Sequence, residues 1–323
     1  MASAVGSLLR KITRKEDDIW NVLTFDTHER QQTNFCKCNV ECYAFTTQGL
    51  KEWNELYAPI PKNYTRLQPQ VIPEDLEFDL VLGHNRMAHY NIAKQLSNQL
   101  HIPLVYIEHC LPVPNWPQDN ILQLTNLPVD LKIYITDYNK QRWLSEDGIV
   151  INHCVDTEIF KPKEIEKQKH ILTVANEYPQ RDWCLGFNIY KEVTENLPTK
   201  PVGNSPGFSE AAKDLNELVN FYQESKIFLN TSTVSPIPSS MLEAAACGCA
   251  IVSTNNCATP EFFTHEYDAY LSDNPKDIKK YLEYLLDNKK ECERIGQNAR
   301  NTILKKCSVN RYVNQWHEVF KLL

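Results

Sequence analysis

The sequence is poor in glycine, with nine among 323 residues. None of them forms the G-x-G-x-x-G pattern of a dinucleotide-binding fold, and the phosphate loop G-x-x-x-x-G-K-[ST] is absent as well. No apolar run approaches the roughly 20 residues that a membrane-spanning helix needs, and residues 1–10 are too weakly apolar for a secretion signal. We therefore expect a cytoplasmic protein without a transmembrane segment.

An excess of positive charge is also missing. The chain has 34 Lys and Arg against 41 Asp and Glu, a formal net charge of -7, and neither half is basic. Proteins that bind nucleic acid usually show clustered Lys and Arg, because phosphate contacts dominate that affinity. The balance argues against a nucleic-acid partner, while a small local basic patch stays open.

Cysteine is not scarce, but its pattern excludes two uses. The eleven cysteines are odd in number and spread over a long chain, unlike the disulfide framework of a small secreted domain. The densest group, Cys36, Cys38 and Cys42, has gaps of one and three residues and no second Cys/His pair nearby. Zinc sites favour paired ligands two to four residues apart. We interpret these side chains as reduced thiols, with a zinc site as the weaker alternative.

Apolar runs alternate with helical patterns along the whole chain. Residues 78–83, 87–100 and 102–107 read as strand, helix and strand, the order that gives a parallel sheet. A charged, proline-containing stretch at 158–169 separates two such halves. The sequence predicts an α/β chain of two Rossmann-like doubly wound domains, with ligands beyond the carboxyl ends of the strands. We place the domains at 1–157 and 158–307, and a C-terminal helix at 308–323, packing back on the first domain.

The segment 232–253 carries the clearest chemistry. It predicts a loop, a helix that begins beside Pro238, and a buried strand. Ser239 and Ser240 are expected to cap the helix, where free backbone N–H groups and the helix dipole suit an anion such as a diphosphate. Glu243, one turn further, is expected to face a sugar or ribose hydroxyl pair. A generic helix-to-strand unit with a solvated Glu243 is an equal alternative on these grounds alone.

Several segments in order resemble one enzyme family. Residues 241–254 (MLEAAACGCAIVST), with TPE at 259–261, resemble the signature of the retaining GT-B glycosyltransferases that include sucrose synthases and mannosyltransferases. Residues 148–162 (GIVINHCVDTEIFKP) are similar to the linker of that family. The strand 171–176 (ILTVAN), followed by PQR at 179–181, is similar to its phosphate-binding segment. The resemblance implies the GT-B fold, with two domains facing across a cleft.

Within residues 145–305, where the resemblance is strongest, two donor-site positions depart from the family pattern. The family's pair of glutamates, separated by seven residues, corresponds to Ser235 and Glu243, so the first carboxylate is missing. The usual Arg of the phosphate pair falls on Asn176, and Arg181 takes the place of the usual Lys. The resemblance implies that these four residues, with the helix start at 238–240, contact the donor, and that Arg181 acts in catalysis.

In the first half, the candidate residues follow strands. His109 closes a predicted strand where related enzymes often have an active-site histidine, so the resemblance implies a catalytic role. The polar loop after the first strand holds His28, Glu29 and Arg30, which we assign to the acceptor together with His84. A structural role is the alternative for His109, because a single histidine at a strand end is commonly structural. For the loop residues the alternative is a solvated surface loop.

These residues predict an enzyme that moves a sugar from a nucleotide diphosphate sugar, a UDP-sugar by expectation, to an acceptor hydroxyl. The resemblance implies retention of anomeric configuration. No Asp-x-Asp motif stands at a strand end, so we expect neither a metal nor another cofactor. The acceptor is a glycan, a small molecule or a modified DNA base. Three alternatives stay open: a nucleotide-sugar epimerase, a non-catalytic nucleotide-sugar binder, and a glycosyltransferase that acts on modified DNA bases.

Overall fold

The protein is an α/β chain that divides into two units. Its computed structural model describes residues 4–15, 18–46, 53–68, 71–73, 76–84 and 86–323. The N-terminal unit comprises Met1–Asn152 with Tyr312–Leu323, and the C-terminal unit comprises His153–Arg311. The domain limits 1–157, 158–307 and 308–323 remain a prediction. No described helix is both long and apolar enough to cross a membrane.

The N-terminal unit is built on a seven-stranded parallel sheet in the order β3-β2-β1-β4-β5-β6-β7. Its strands are β1 (Trp20–Phe25), β2 (Val40–Phe45), β3 (Tyr64–Leu67), β4 (Leu80–His84), β5 (Leu104–Glu108), β6 (Leu131–Tyr134) and β7 (Ile149–Val150). Its first helices are α1 (Ala4–Thr13), α2 (Glu29–Phe35), α3 (Arg86–Leu100), α4 (Gln118–Thr125) and α5 (Asp137–Arg142). The strands β4 and β5 are buried along their whole length, which explains their unbroken apolar runs.

Two stretches of this unit differ from the sequence-based expectation. Residues 27–32 were expected to form a loop, but α2 begins at Glu29 and continues to Phe35. Phe35 and the glutamines Gln31 and Gln32 are buried on this helix. Polar side chains that are buried by tertiary contacts give no apolar periodicity, so the prediction of a loop was wrong. In the stretch 58–73, the prolines predict a connection rather than a strand, but residues 64–67 form the edge strand β3.

The C-terminal unit has a five-stranded parallel sheet in the order β12-β11-β10-β8-β9. Its strands are β8 (Gln168–Val174), β9 (Thr199–Val202), β10 (Ser225–Asn230), β11 (Ala250–Ser253) and β12 (Tyr270–Leu271). Its helices are α6 (Asp182–Leu185), α7 (Phe187–Val193), α8 (Leu215–Glu224), α9 (Ser239–Ala246), α10 (Thr259–Phe262), α11 (Pro275–Asp287) and α12 (Lys289–Lys306). Aliphatic side chains of the central strands, such as Ile171, Ile227 and Val252, form its core.

The last helix, α13 (Val309–Leu322), packs on the strands of the N-terminal unit through aromatic side chains. Phe320 stacks on Trp20 with ring centroids 4.7 Å apart, and Trp316 meets Phe35 edge-on at the same distance. Trp316 is 1% exposed. Burying one such side chain stabilises a fold by about 2–3 kcal/mol, so this short segment is a substantial part of the unit.

Each sheet has one point at which the strand order reverses. In the N-terminal unit it lies between β1 and β4, and in the C-terminal unit between β8 and β10. In open parallel sheets the crevice beyond the carboxyl ends of the strands at such a switch point is where ligands bind. The loops that follow these four strands are therefore the first place to search for a site.

Candidate functional site

At the switch point of the C-terminal unit, the loop after β8 (residues 175–181, the first loop) lies beside the loop after β10 (residues 231–238, the second loop). The backbone N–H groups of Thr233 and Val234 donate to the carbonyl oxygen of Cys184 at 2.9 and 3.1 Å. The hydroxyls of Tyr178 and Thr231 form a short hydrogen bond with each other. These bonds hold the two loops in a fixed relation at the strand ends.

Glycine permits the close backbone approach behind the first loop. Gly203, which directly follows β9, has φ +137°, and a Cβ added there would lie 1.9 Å from the carbonyl oxygen of Ala175. The side chain of Ser205 then donates to that same oxygen at 3.2 Å and accepts from the N–H of Tyr178 at 3.0 Å. The residue after β9 must therefore be glycine for the first loop to keep its place.

The helix α9 begins at this edge, but its N-terminus differs from the expectation. Pro238 occupies the N-cap position, and no side chain caps the helix. The Ser240 hydroxyl donates instead to the carbonyl oxygen of Val174 at 3.3 Å, and Ser239 is exposed. The prediction that Ser239 and Ser240 cap the helix was therefore wrong, because Ser240 bridges to β8.

At the other end of α9, two cations bind the terminal carbonyl oxygens. Lys167 Nζ donates to Cys247 and Gly248, at 3.1 and 2.7 Å, and the Arg300 guanidinium donates to Ala246 at 2.5 Å. Positive charge at a helix C-terminus is favourable because it opposes the helix dipole. The C-terminus is thus neutralised by side chains, whereas the N-terminus faces the two loops without a side-chain cap.

Glu243 is buried rather than exposed at the protein surface. Its side chain is 6% exposed, and its carboxylate accepts a hydrogen bond from the hydroxyl of Tyr222 on α8 at 3.1 Å. Tyr222 is itself fully buried. A buried carboxylate must be hydrogen-bonded, because an unpaired buried charge is costly. The alternative of a solvated Glu243 is therefore wrong, and its contact with a donor hydroxyl stays a prediction.

Asn176 and Arg181 belong to the first loop, and Ser235 belongs to the second. Asn176 is exposed, and its side-chain oxygen accepts from the N–H of Asn204 at 2.8 Å, so it shapes the turn. Arg181 is exposed at the start of α6, and its guanidinium forms no ion pair with any residue that the structure describes. Ser235 is half-buried beside Pro236. The three predicted donor residues thus lie on the two loops of one switch point.

At the switch point of the N-terminal unit, histidines gather at the ends of three adjacent strands. His28 follows β1, His84 ends β4, and His109 follows β5. His84 Nδ1 lies 2.9 Å from His109 Nε2, and the rings of His28 and His109 stack with centroids 4.0 Å apart. We name these three residues the histidine cluster. Predicted separately as acceptor and catalytic residues, they form one contiguous group.

Burial removes positive charge from this cluster. It lowers the pKa of His28 to about 4, with repulsion from His89 as a second cause. Burial also lowers the pKa of His84 well below its ordinary value, with repulsion from His28 and His89 adding to the effect. Both imidazoles are neutral at neutral pH, so they act as hydrogen-bonding groups rather than as cations. No group suited to hold a metal ion is found among the described residues.

The helix α2 carries the other predicted residues of this edge. His28 precedes it with φ +53°, the left-handed region, and Glu29 and Arg30 are half-buried in its first turn. Three polar residues of this edge had no signal in the sequence: Thr24, Gln32 and His89. Gln32 lies one turn after His28 on α2, a spacing that would have pointed to it had the helix been predicted.

A family of known sequences matches part of the chain. Residues 209–302 match the model of the family described as Glycosyl transferases group 1. This stretch contains the second loop, α9 and most of α12. No curated protein matches the chain.

Solved glycosyltransferase structures match nearly the whole chain. Sucrose-phosphate synthase from Thermosynechococcus elongatus superposes with a TM-score of 0.73 at 11% identity, covering 94% of this chain and 98% of that one. HepE from Anabaena, solved in complex with UDP, gives 0.74 at 14% identity, covering 95% and 100%. The glycosyltransferase from Rickettsia africae gives 0.68 at 13% identity, covering 94% and 98%. The chain therefore has the GT-B fold, and its residues 209–302 match the glycosyl transferases group 1 family.

Proposed function

We propose that this protein transfers a glycosyl group from a nucleoside diphosphate sugar to an acceptor hydroxyl, with retention of configuration. The observation that carries the proposal is the meeting of the first and second loops, with the start of α9, at the switch point of the unit that holds the family match. Free backbone N–H groups and one exposed guanidinium are the donors that a diphosphate requires.

Arg181 and the first backbone N–H groups of α9 bind the diphosphate in this proposal. Cleavage of the sugar–phosphate bond leaves additional negative charge on the departing phosphate, and fixed donors stabilise that charge as it develops. Asn176, Ser235, Pro238, Ser239 and Ser240 line the same edge. The Tyr222 hydroxyl binds one carboxylate oxygen of Glu243, Oε2. In this proposal the other carboxylate oxygen contacts the donor hydroxyls.

His109 faces the sugar in this proposal, and His28, Glu29, Arg30 and His84 serve the acceptor side. A neutral imidazole donates a hydrogen bond to a sugar hydroxyl without attracting water as a cation would. The departing phosphate takes the acceptor proton, so no carboxylate nucleophile and no metal ion are required.

We propose a UDP-sugar as the donor, because HepE, which has the same fold, was solved with UDP and with UDP-glucose. A reducing compartment such as the cytoplasm suits the protein, since all eleven cysteines are free thiols. Glycans, small molecules and modified DNA bases remain the candidate acceptors.

The proposal is tested by incubating the protein with a panel of nucleoside diphosphate sugars, each with and without an acceptor mixture, and separating the products by mass. Release of the nucleoside diphosphate with a sugar on an acceptor supports transfer. An altered sugar nucleotide from donor alone identifies an epimerase, and saturable binding without turnover identifies a binding protein. Either result overturns the proposal. Arg181→Ala controls for contaminating activity and is expected to lower turnover at least tenfold.

A further inference from the structure

The polar contacts behind His109 form a directed chain of hydrogen bonds. It runs from the Gln32 side-chain amide on α2, through His84 at the end of β4, to the ring of His109. Its two links measure 3.2 and 2.9 Å, and both Gln32 and His84 are fully buried. The direction of each bond decides which ring nitrogen of His109 carries its proton.

The direction begins at Gln32. Its amide nitrogen donates to the carbonyl oxygen of Phe25 at 2.9 Å. Exchanging the amide nitrogen and oxygen would place two oxygens at that distance, which is repulsive, so the nitrogen must lie there. The same nitrogen lies 3.1 Å from the Thr24 hydroxyl oxygen and 3.2 Å from His84 Nε2, and its second proton is directed toward this pair.

The Thr24 hydroxyl cannot supply a proton to His84, because it donates its only proton to the carbonyl oxygen of Leu82 at 3.0 Å. His84 Nε2 faces the Gln32 amide, which can only donate, and the Thr24 hydroxyl oxygen at 3.1 Å. A proton on Nε2 would have to compete with the Gln32 N–H for that oxygen, with the two N–H groups opposed across 3.2 Å, so Nε2 accepts with its lone pair. A neutral imidazole has one proton, so the proton of His84 resides on Nδ1. From Nδ1 it is donated to His109 Nε2 across 2.9 Å.

We propose that Gln32 and His84 are positioning residues that fix His109 as the tautomer with its proton on Nδ1 and its Nε2 lone pair turned inward. A protonated His109 would oppose two N–H groups across that short contact, so the chain also holds the ring neutral. Stacking of His28 on the ring fixes its plane. Only the role of His109 toward a sugar hydroxyl rests on the proposed function.

The backbone around His84 makes this arrangement rigid. The carbonyl oxygen of His84 accepts from the Tyr106 hydroxyl at 3.2 Å and lies within hydrogen-bonding distance of the His89 ring. The strand β4 is also paired on both sides, with β1 and β5. These bonds fix the backbone of His84, and its ring is held by its own hydrogen bonds to Gln32 and His109, each worth about 1 kcal/mol.

The test is nitrogen NMR on the full chain labelled with ¹⁵N-histidine, with the His109 signals assigned by their loss in His109→Gln. We expect a protonated, pyrrole-type Nδ1 and an unprotonated, pyridine-type Nε2 for both His84 and His109 in the parent. A proton on Nε2 of His109 overturns the inference. The tautomer is read in the parent protein and needs no activity, so this result is distinguishable from failure of the proposed function.

The role of Gln32 is tested by Gln32→Leu, with Gln31→Leu as the matched control. Gln31 is the adjacent buried glutamine, and its amide donates to the Tyr312 hydroxyl outside this chain of bonds. Gln32→Leu is expected to release the proton of His84 to Nε2 and to change the His109 tautomer, whereas Gln31→Leu leaves both spectra as in the parent. Equal spectra for the two variants would overturn the role of Gln32.

His84→Asn provides a rescue that does not depend on Gln32. The asparagine amide nitrogen lies close to where Nδ1 stood and can still donate to His109, so the Nδ1-protonated tautomer is expected to persist. In a transfer assay, Gln32→Leu should lower kcat about tenfold with the donor KM within about twofold, and His84→Asn should retain more activity than His84→Leu. Equal activity of His84→Asn and His84→Leu would contradict a role through hydrogen bonding.

Discussion

The two switch points of this chain both lie at the carboxyl ends of parallel strands where the strand order reverses, but different side chains surround them. In the N-terminal unit, imidazoles stack and hydrogen-bond with one another, and burial holds the pKa values of His28 and His84 down. In the C-terminal unit, hydroxyls and backbone N–H groups line two loops beside the exposed Arg181. The first edge suits uncharged hydroxyl groups, whereas the second suits an anion.

The two units also fix the loops at their strand ends in different ways. In the C-terminal unit the first loop depends on backbone contact, since Gly203 touches the carbonyl group of Ala175. In the N-terminal unit the equivalent position depends on side chains, because Gln32 and Thr24 tie the end of β1 to His84. Substitutions should therefore affect stability most at Gly203 and hydrogen bonding most at the histidine cluster.

The largest effect is expected for Gly203→Ala. The new Cβ meets a backbone oxygen that cannot move without displacing the first loop, and φ +137° is strained for alanine. We expect a loss of about 3 kcal/mol or more in the free energy of unfolding, measured by urea denaturation. Gly207→Ala is the matched control: its φ is +81° but its Cβ would meet nothing within 4 Å, so about 1 kcal/mol is expected. Equal losses would show that backbone approach is not what holds this loop.

A second effect of about 2–3 kcal/mol is expected for Glu243→Ala. The substitution removes the carboxylate that accepts from the buried Tyr222 hydroxyl and opens space in the core beneath α9. Tyr222→Phe removes only the donor and should cost about 1 kcal/mol. Thermal unfolding of both variants, read beside UDP affinity, separates a structural role from a ligand role. Unchanged stability with lost affinity in Glu243→Ala would contradict the buried placement.

The third effect is a dependence on pH and belongs to the N-terminal unit. Unfolded His28 takes up a proton near pH 6.5 and folded His28 only near pH 4, so the unfolded state binds more protons between those values. Stability is therefore complete above about pH 6.5 and declines as the pH falls toward 4. His28→Asn keeps a residue that tolerates φ +53° and should reduce this decline by about 2 kcal/mol. Parallel urea titrations at pH 7 and pH 4.5 measure it, and identical declines would contradict the lowered pKa.

The parallel sheets could be predicted from the sequence because buried strands leave unbroken apolar runs. The helix beside Pro238 and the buried strand that follows it were predicted from such patterns, and α9 and β11 confirm them. The helix α2 could not be predicted from apolar periodicity, because its buried residues Gln31 and Gln32 make hydrogen bonds rather than apolar contacts. The same limit applies to Ser240, whose hydroxyl bonds to a strand distant in sequence rather than to its own helix.

The candidate site was predictable residue by residue but not as a group. His28, His84 and His109 lie far apart along the chain, and only the strand order brings them to one edge. The direction of the hydrogen bonds from Gln32 to His109 depends on atoms of three separate elements, which no local pattern encodes. Tyr222 likewise reaches Glu243 from a neighbouring helix.

The most direct test of the contrast between the two edges is calorimetric titration of UDP into the parent, Arg181→Ala and His109→Ala. The account predicts that Arg181→Ala weakens UDP binding at least tenfold, because the guanidinium would pair with the diphosphate, while His109→Ala binds UDP within about twofold of the parent. Equal affinity of Arg181→Ala and the parent, or a greater loss in His109→Ala, would contradict it.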